Sequence, residues 1–98
     1  MIDLQVRTET GEIVAHGSCG VPWTDALGQL DQGSYPCLGG LLPYADTIFN
    51  ARQVGMLARE VSSPAAREVL GEAAAAEIER LGRQVVSGSH LYLWFLGD

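Results

Sequence analysis

Lysine is absent from this sequence of 98 residues, so the six cations that stand against its twelve carboxylates are all arginines. The formal net charge of −6 would be repelled by phosphate backbones, and the arginines are scattered along the chain, so nucleic-acid binding is not expected. A basic protein partner is compatible with this charge. A lack of lysine beside abundant alanine, glycine and arginine is typical of a GC-rich bacterial genome.

Long apolar runs are also missing, so the sequence has no candidate transmembrane helix and a membrane is not an expected partner. The opening residues MIDLQVRTE lack the basic start and apolar region of a secretory signal, so a cytoplasmic location is expected. In that reducing compartment the two cysteines, Cys19 and Cys37, are expected to be free thiols. With 47% hydrophobic and 18% charged residues, residues 1–98 are expected to form one soluble globular domain.

The first half of the chain changes pattern at Gly17. Apolar and polar residues alternate from Ile2 to Arg7, which predicts a half-buried strand that turns and returns through a second strand over 12–16. Residues 17–44 are instead rich in glycine and proline, with isolated aromatic side chains. Within this loop Thr24 is a good N-cap and predicts a short helix that reaches about Leu30.

The second half predicts a short strand over 46–49, followed by helices. Asn50 and Gln53 match a capping box, and Ser63 followed by Pro64 matches the start of another helix. That second helix is expected to run without a break to about Val86, with the inward stripe Leu70, Ala74, Ile78, Leu81 and Val85.

Charged pairs are expected on the solvent side of this long helix. Glu77 stands three residues before Arg80, and Glu79 stands four residues before Arg83. Both spacings allow ion pairs on a helix surface, so each pair is predicted to add a few tenths of a kcal/mol.

The apolar run Leu91–Leu96 near the end of the chain predicts a strand in the centre of the sheet. The expected fold is an α+β two-layer sandwich, in which a small sheet packs on an antiparallel helix pair. Leu91, Leu93 and Phe95 are expected to face the helices. Tyr92, Trp94 and Leu96 then lie on the opposite face of the sheet.

Chemistry-bearing residues are few, and no cofactor is expected. His16, Cys19, Cys37 and His90 are compatible with a metal site or with a small enzyme or ligand-binding protein, but only one close ligand pair exists, whereas structural zinc sites usually have two. Cys19 with His16 as a nucleophile and base lacks a recognised motif. The carboxylate pairs Asp25 with Asp31 and Asp46 with Asp98 more often represent solvated surface acids. An enzyme is therefore the less favoured class.

Aromatic side chains give a stronger indication of function. Five of the seven lie in the glycine-rich loop or on the second face of the last strand: Trp23, Tyr35, Tyr44, Tyr92 and Trp94. Tryptophan and tyrosine dominate the hot spots of protein interfaces, so these five form a predicted binding surface. Two alternatives stay open, because the loop could fold across this face and bury Trp94, or a second copy could cover it in a homodimer.

The segments PYADTIFN (43–50) and HLYLWFLGD (90–98) resemble a small uncharacterised family of bacterial proteins. The resemblance covers roughly the second half of the chain and implies no activity, only a shared structural pattern that includes Asp46, Asn50, His90 and Asp98. The leading hypothesis is a small acidic cytoplasmic module that acts by protein–protein contact, as an immunity protein, antitoxin, inhibitor or accessory subunit does.

Overall fold

The computed structural model describes residues 1–97, which form four strands, four α-helices and one short 3₁₀ helix. In chain order these are β1 (Asp3–Thr8), β2 (Ile13–His16), α1 (Asp25–Gly28), the 3₁₀ helix (Leu38–Gly40), β3 (Thr47–Phe49), α2 (Ala51–Val61), α3 (Pro64–Leu70), α4 (Glu72–Ser87) and β4 (Leu91–Leu96). Within the described part of the chain, no helix is long and apolar enough to cross a membrane.

The four strands form one antiparallel sheet in the order β2-β1-β4-β3. The last strand therefore lies inside the sheet, between β1 and β3, as its apolar run predicts. Leu93 and Phe95 of β4 pair with Val6 and Leu4 of β1, and all four are buried against the helices. The predicted two-layer α+β sandwich is confirmed.

Helices α2 and α3 begin at the predicted residues. In the capping box of α2, the Gln53 backbone N–H donates to Asn50 Oδ1 at 2.9 Å, and the Asn50 N–H donates to Gln53 Oε1 at 2.9 Å. Ser63 caps α3 by accepting from the Ala66 N–H at 3.2 Å, with Pro64 in the first turn. These local contacts satisfy N–H groups that have no partner inside a helix.

The prediction of one unbroken helix from Pro64 to Val86 is wrong. Gly71 adopts φ 86° and ψ 150°, a conformation nearly restricted to glycine, and it separates α3 from α4. The predicted helix pair is therefore a set of three helices, in which α2 and α4 pack together and α3 connects them.

Of the two predicted ion pairs, one forms and the other is replaced in the folded chain. Arg67 of α3 binds the Glu79 carboxylate at 3.0 Å, in place of the predicted Arg83. Glu77 does pair with Arg80, but the Glu77 side chain is buried and does not lie on the solvent side.

The glycine-rich loop 17–44 extends the core on the helix side of the sheet. Thr24 caps α1 as predicted, by accepting from the Leu27 N–H at 3.1 Å, but α1 ends at Gly28 and not at Leu30. The loop side chains Val21, Leu27, Leu38 and Leu41 are buried in the same cluster as the inward residues of the sheet and helices. One continuous core therefore joins strands, helices and loop.

Candidate functional site

The side of the sheet that faces away from the helices is open. We call it the outer sheet face, and its strand register assigns to it Asp3, Gln5, Arg7, Ile13, His16, Ile48, Tyr92, Trp94 and Leu96. Ile13 is 48% exposed and Ile48 is 45% exposed. The buried side chains of loop 17–44 lie in the core on the other side, so the alternative in which this loop buries Trp94 is not the arrangement found.

Trp94 occupies the middle of this face. Its neighbours across the sheet are Gln5 on β1 and Ile48 on β3, because both pair directly with it. The Arg7 guanidinium lies 4.1 Å from the centroid of the Trp94 ring, and Arg7 Nε donates to Gln5 Oε1 at 2.8 Å. Cation–π contact and hydrogen bond together fix the Arg7 side chain over the indole. The centre of the face is thus an ordered apolar and aromatic surface.

A depression of about 360 Å³ lies beside Trp94, and it is lined by Thr8, Glu9, Thr10, Gly11, Ile48, Tyr92 and Trp94. Its polar wall is the β1–β2 turn. There Gly11 has φ 91°, and Thr8 Oγ1 accepts from the Glu12 N–H at 3.1 Å. The turn is therefore held in shape, and it places the Glu9 carboxylate at the edge of the aromatic surface.

The electrostatic character of this side is acidic. Residues 51–87 contain five arginines and five glutamates, so the net charge of −6 arises entirely from the remainder of the chain. Asp3 lies on the outer sheet face, Glu9 and Glu12 in or beside its turn, and Asp46 immediately before β3, all exposed. Arg7 is the single arginine outside the helical segment, and it is already stacked on Trp94.

The structure divides the five predicted aromatic residues. Tyr92 and Trp94 share the outer sheet face, whereas Trp23 and Tyr35 are half-buried against the core on the helix side. Trp23 packs beneath α1, since a Cβ added to Gly28 would lie 3.0 Å from the indole. Tyr44 is 84% exposed in the loop that precedes β3. Ile13 and Ile48, which the aromatic pattern did not include, complete the apolar part of the face.

The four histidine and cysteine residues of the alternative site are not brought together. His16 lies on the outer sheet face, while Cys19 Sγ donates to the Ala73 carbonyl at 3.6 Å on the helix side. Cys37 is buried against α2, and His90 Nδ1 lies 3.5 Å from Glu9 Oε2. Within residues 1–97, no group of three or more His, Cys, Asp or Glu side chains is arranged to hold a metal ion.

Two buried carboxylates, which sequence reasoning missed, anchor loop 17–44 to the helices. Glu60 of α2 accepts the Cys37 N–H at 3.0 Å and the Leu38 N–H at 2.9 Å, so it caps the 3₁₀ helix. Glu77 of α4 accepts the Ser18 N–H at 3.2 Å, the Ser18 hydroxyl, and Arg80 Nε at 2.7 Å. The signal for Glu60 was its position between Leu57 and Val61, on the buried side of α2.

These contacts shift two ionisation equilibria in opposite directions. Burial raises the pKa of the Cys37 thiol to about 12, and the neighbouring Glu60 carboxylate adds to the increase. The Ser18 hydroxyl, followed by Arg80 and the Ser18 backbone, holds the pKa of Glu77 below its usual 4.5. Cys37 is therefore a protonated thiol at neutral pH, and Glu77 is a carboxylate.

Comparisons with protein-family models, curated proteins and solved structures find no match. The two segments quoted for the family resemblance are nevertheless adjacent in space, because β3 and β4 pair through Ile48 and Trp94. A Cβ added to Gly97 would lie 2.5 Å from the Ala45 backbone nitrogen, so glycine is needed for this close approach. The candidate carboxylate pair of Asp46 with Asp98 is not described, because Asp98 lies outside the described residues.

Proposed function

We propose that this chain is a small cytoplasmic binding module, of bacterial origin, that acts through protein–protein contact at its outer sheet face. The observation that carries the proposal is the open face around Trp94, where indole, Tyr92 and Ile48 remain accessible while Arg7 is held in place. Trp, Tyr and Arg are the residue types that contribute most at interface hot spots. An ordered anchor of this kind loses little side-chain entropy on binding.

The partner has a basic rim around an apolar centre. Asp3, Glu9 and Asp46 surround the aromatic surface, so cationic side chains are the complementary groups. Nucleic acid is not a suitable partner, since its phosphates would meet these carboxylates and Arg7 is engaged with Trp94. A second copy would oppose the same carboxylates to one another, so a heterologous partner is favoured over a homodimer.

Native mass spectrometry of the tagged protein, isolated gently from its own cells, tests the proposal. We expect a stoichiometric complex with a basic polypeptide, and we expect Trp94→Ala to raise its dissociation constant at least tenfold, as loss of a hot spot of about 2 kcal/mol does. Tyr44→Ala is the matched control, because Tyr44 is exposed and outside the face. Ile48→Arg adds a cation at a 45% exposed position and serves as a second disruptive variant.

Circular dichroism establishes that each variant is folded before binding is compared. A complex that survives both Trp94→Ala and Ile48→Arg would show that the outer sheet face is not the contact. Equal loss with Tyr44→Ala would point to the loop before β3 as the contact. A homodimer sensitive to Trp94→Ala would replace the heterologous partner with a second copy.

A further inference from the structure

An apolar groove of about 440 Å³ lies between α2 and α4, and the outer sheet face does not contribute to it. Its lining consists of Val54, Gly55, Leu57, Ala58, Ile78, Glu79, Gly82, Arg83, Val86 and Ser87. Val86 is 57% exposed, although it is a large apolar residue on this wall. A volume of this size is within the range of small-molecule sites, which are mostly apolar with a few polar groups.

Two glycines inside the helices create the groove, for different reasons. Gly82 allows α2 and α4 to approach, since a Cβ there would lie 3.1 Å from Val54 Cγ1. Gly55 has no such explanation, because an added Cβ would meet nothing within 4 Å. Glycine in a helix interior costs about 1 kcal/mol relative to alanine, so Gly55 maintains open space at the expense of stability.

The charges at the groove favour an anion. Glu79, the acidic residue of the lining, is paired with Arg67 of α3, with Arg67 Nη1 3.0 Å from Glu79 Oε1, and Arg67 also binds Glu72 at 2.8 Å. Arg83, in contrast, is exposed and forms no ion pair with any of residues 1–97. Arg59 is likewise exposed and unpaired among the described residues, and it lies one helical turn beyond Gly55 on α2. The groove therefore combines apolar walls with an uncompensated guanidinium.

We infer that this groove binds a free medium-chain alkyl carboxylate, with the chain along the apolar walls and the carboxylate at Arg83. A guanidinium donates two parallel hydrogen bonds to a carboxylate, which makes this end specific. A membrane surface is a poorer occupant, because the groove is concave and the molecule carries a net charge of −6. This site is independent of the proposed protein contact on the outer sheet face.

Titration with sodium octanoate, followed by ¹H–¹⁵N NMR, tests the inference. The amides of Gly55 and Gly82 report from the groove itself, and we expect both to shift with saturation. Octylammonium has the same chain and the opposite charge, and we expect its affinity to be about tenfold lower or worse. Arg83→Gln should weaken octanoate binding about tenfold, whereas Arg52→Gln, at an exposed position of α2 outside the groove lining, should leave it unchanged.

Gly55→Leu provides a steric test that does not depend on charge. Leucine fills the open space and favours the helix, so we expect a folded protein with a raised melting temperature and no saturable octanoate shifts. Shifts that are absent in the natural protein, or equal for octanoate and octylammonium, would overturn the inference. Groove shifts that appear only with anionic phosphatidylglycerol vesicles would also overturn it, because they indicate a membrane as the occupant. Groove shifts that depend on protein concentration alone would overturn it as well, because they indicate a second copy of the chain.

Discussion

At the scale of single residues, the two cysteines differ in the surroundings of their sulfur atoms. Cys37 is buried beside Glu60 and its pKa is raised to about 12, whereas Cys19 is half-buried at the edge of the loop. Because the thiolate is the reactive form, we predict that iodoacetamide alkylates Cys19 in the native protein and modifies Cys37 only after unfolding. Mass mapping of alkylated peptides over time measures this difference. Equal native rates for both cysteines would contradict the packing described for Cys37.

Glu77 is the residue whose protonation should matter most for folding. Its pKa is lowered below 4.5 in the folded chain, chiefly by the Ser18 hydroxyl, so its contribution to stability is complete above that pH and lost as the pH falls through the lowered pKa. We predict that Glu77→Gln reduces the free energy of unfolding at pH 7 by about 1–3 kcal/mol and weakens the loss of stability in acid. Urea titrations between pH 7 and pH 3 provide both quantities.

The control for this experiment is Glu68→Gln, since Glu68 is exposed on α3. That change should alter stability by no more than about 0.5 kcal/mol. If the two variants show the same acid dependence, the Glu77–Ser18 contact is not the source of the effect.

At the scale of secondary-structure elements, two helical-region glycines should respond oppositely to alanine. Gly71 adopts φ 86° between α3 and α4, so Gly71→Ala is expected to destabilise the protein by about 1–3 kcal/mol. Gly55 is inside α2 with open space around it, so Gly55→Ala is expected to stabilise it by up to about 1 kcal/mol. Thermal and urea unfolding of both variants measures the signs. A stabilising Gly71→Ala would mean that α3 and α4 can join into one helix.

The starts of α2 and α3 were predictable from the sequence, whereas the break between α3 and α4 was not. Capping residues Asn50 and Ser63 act on their own helix, so their motifs located α2 and α3 correctly. The break at Gly71 was missed because the apolar stripe passes through Leu70 and Ala74 on either side of it, and a periodicity of apolar residues does not report a backbone angle. Local sequence signals therefore predicted where helices begin, but they did not predict the positive φ of Gly71.

The candidate site was predicted only where strand register determines it. Tyr92 and Trp94 share a face because side chains alternate along a strand, which is a local rule. Trp23 and Tyr35 turned toward the helix side through contacts made far along the chain, and no period in the sequence encodes that choice. The burial of the Glu77 carboxylate depends on its hydrogen bonds to Ser18, which is 59 residues away in the sequence. Because no local pattern reports such a distant contact, sequence analysis placed Glu77 on the solvent side.

At the scale of the whole molecule, charge and packing are distributed differently. The helical segment 51–87 is neutral as a set, whereas the strands and the loop carry the full charge of −6. Electrostatic attraction would therefore bring a basic partner toward the strand and loop regions, where the outer sheet face presents the accessible surface around Trp94. Charge and exposure together thus favour the outer sheet face for proteins, while the uncompensated Arg83 leaves the helix groove for a small anion.

Packing, unlike charge, is continuous across the molecule and predicts one cooperative unfolding transition. The loop residues Val21 and Leu38 share a core with the sheet and helices, and Glu60 and Glu77 fasten that loop to α2 and α4. Trp94→Phe leaves Trp23 of the loop as the fluorescent reporter, and Trp23→Phe leaves Trp94 of the sheet. We predict that in each variant the urea midpoint measured by tryptophan fluorescence equals the midpoint measured by far-UV circular dichroism. Urea titration of both variants makes the comparison. If the Trp23 fluorescence changes at a lower urea concentration than the circular dichroism signal of the helices, the loop unfolds as a separate unit. The contacts of Glu60 and Glu77 with the loop would then be too weak to couple its unfolding to that of the core.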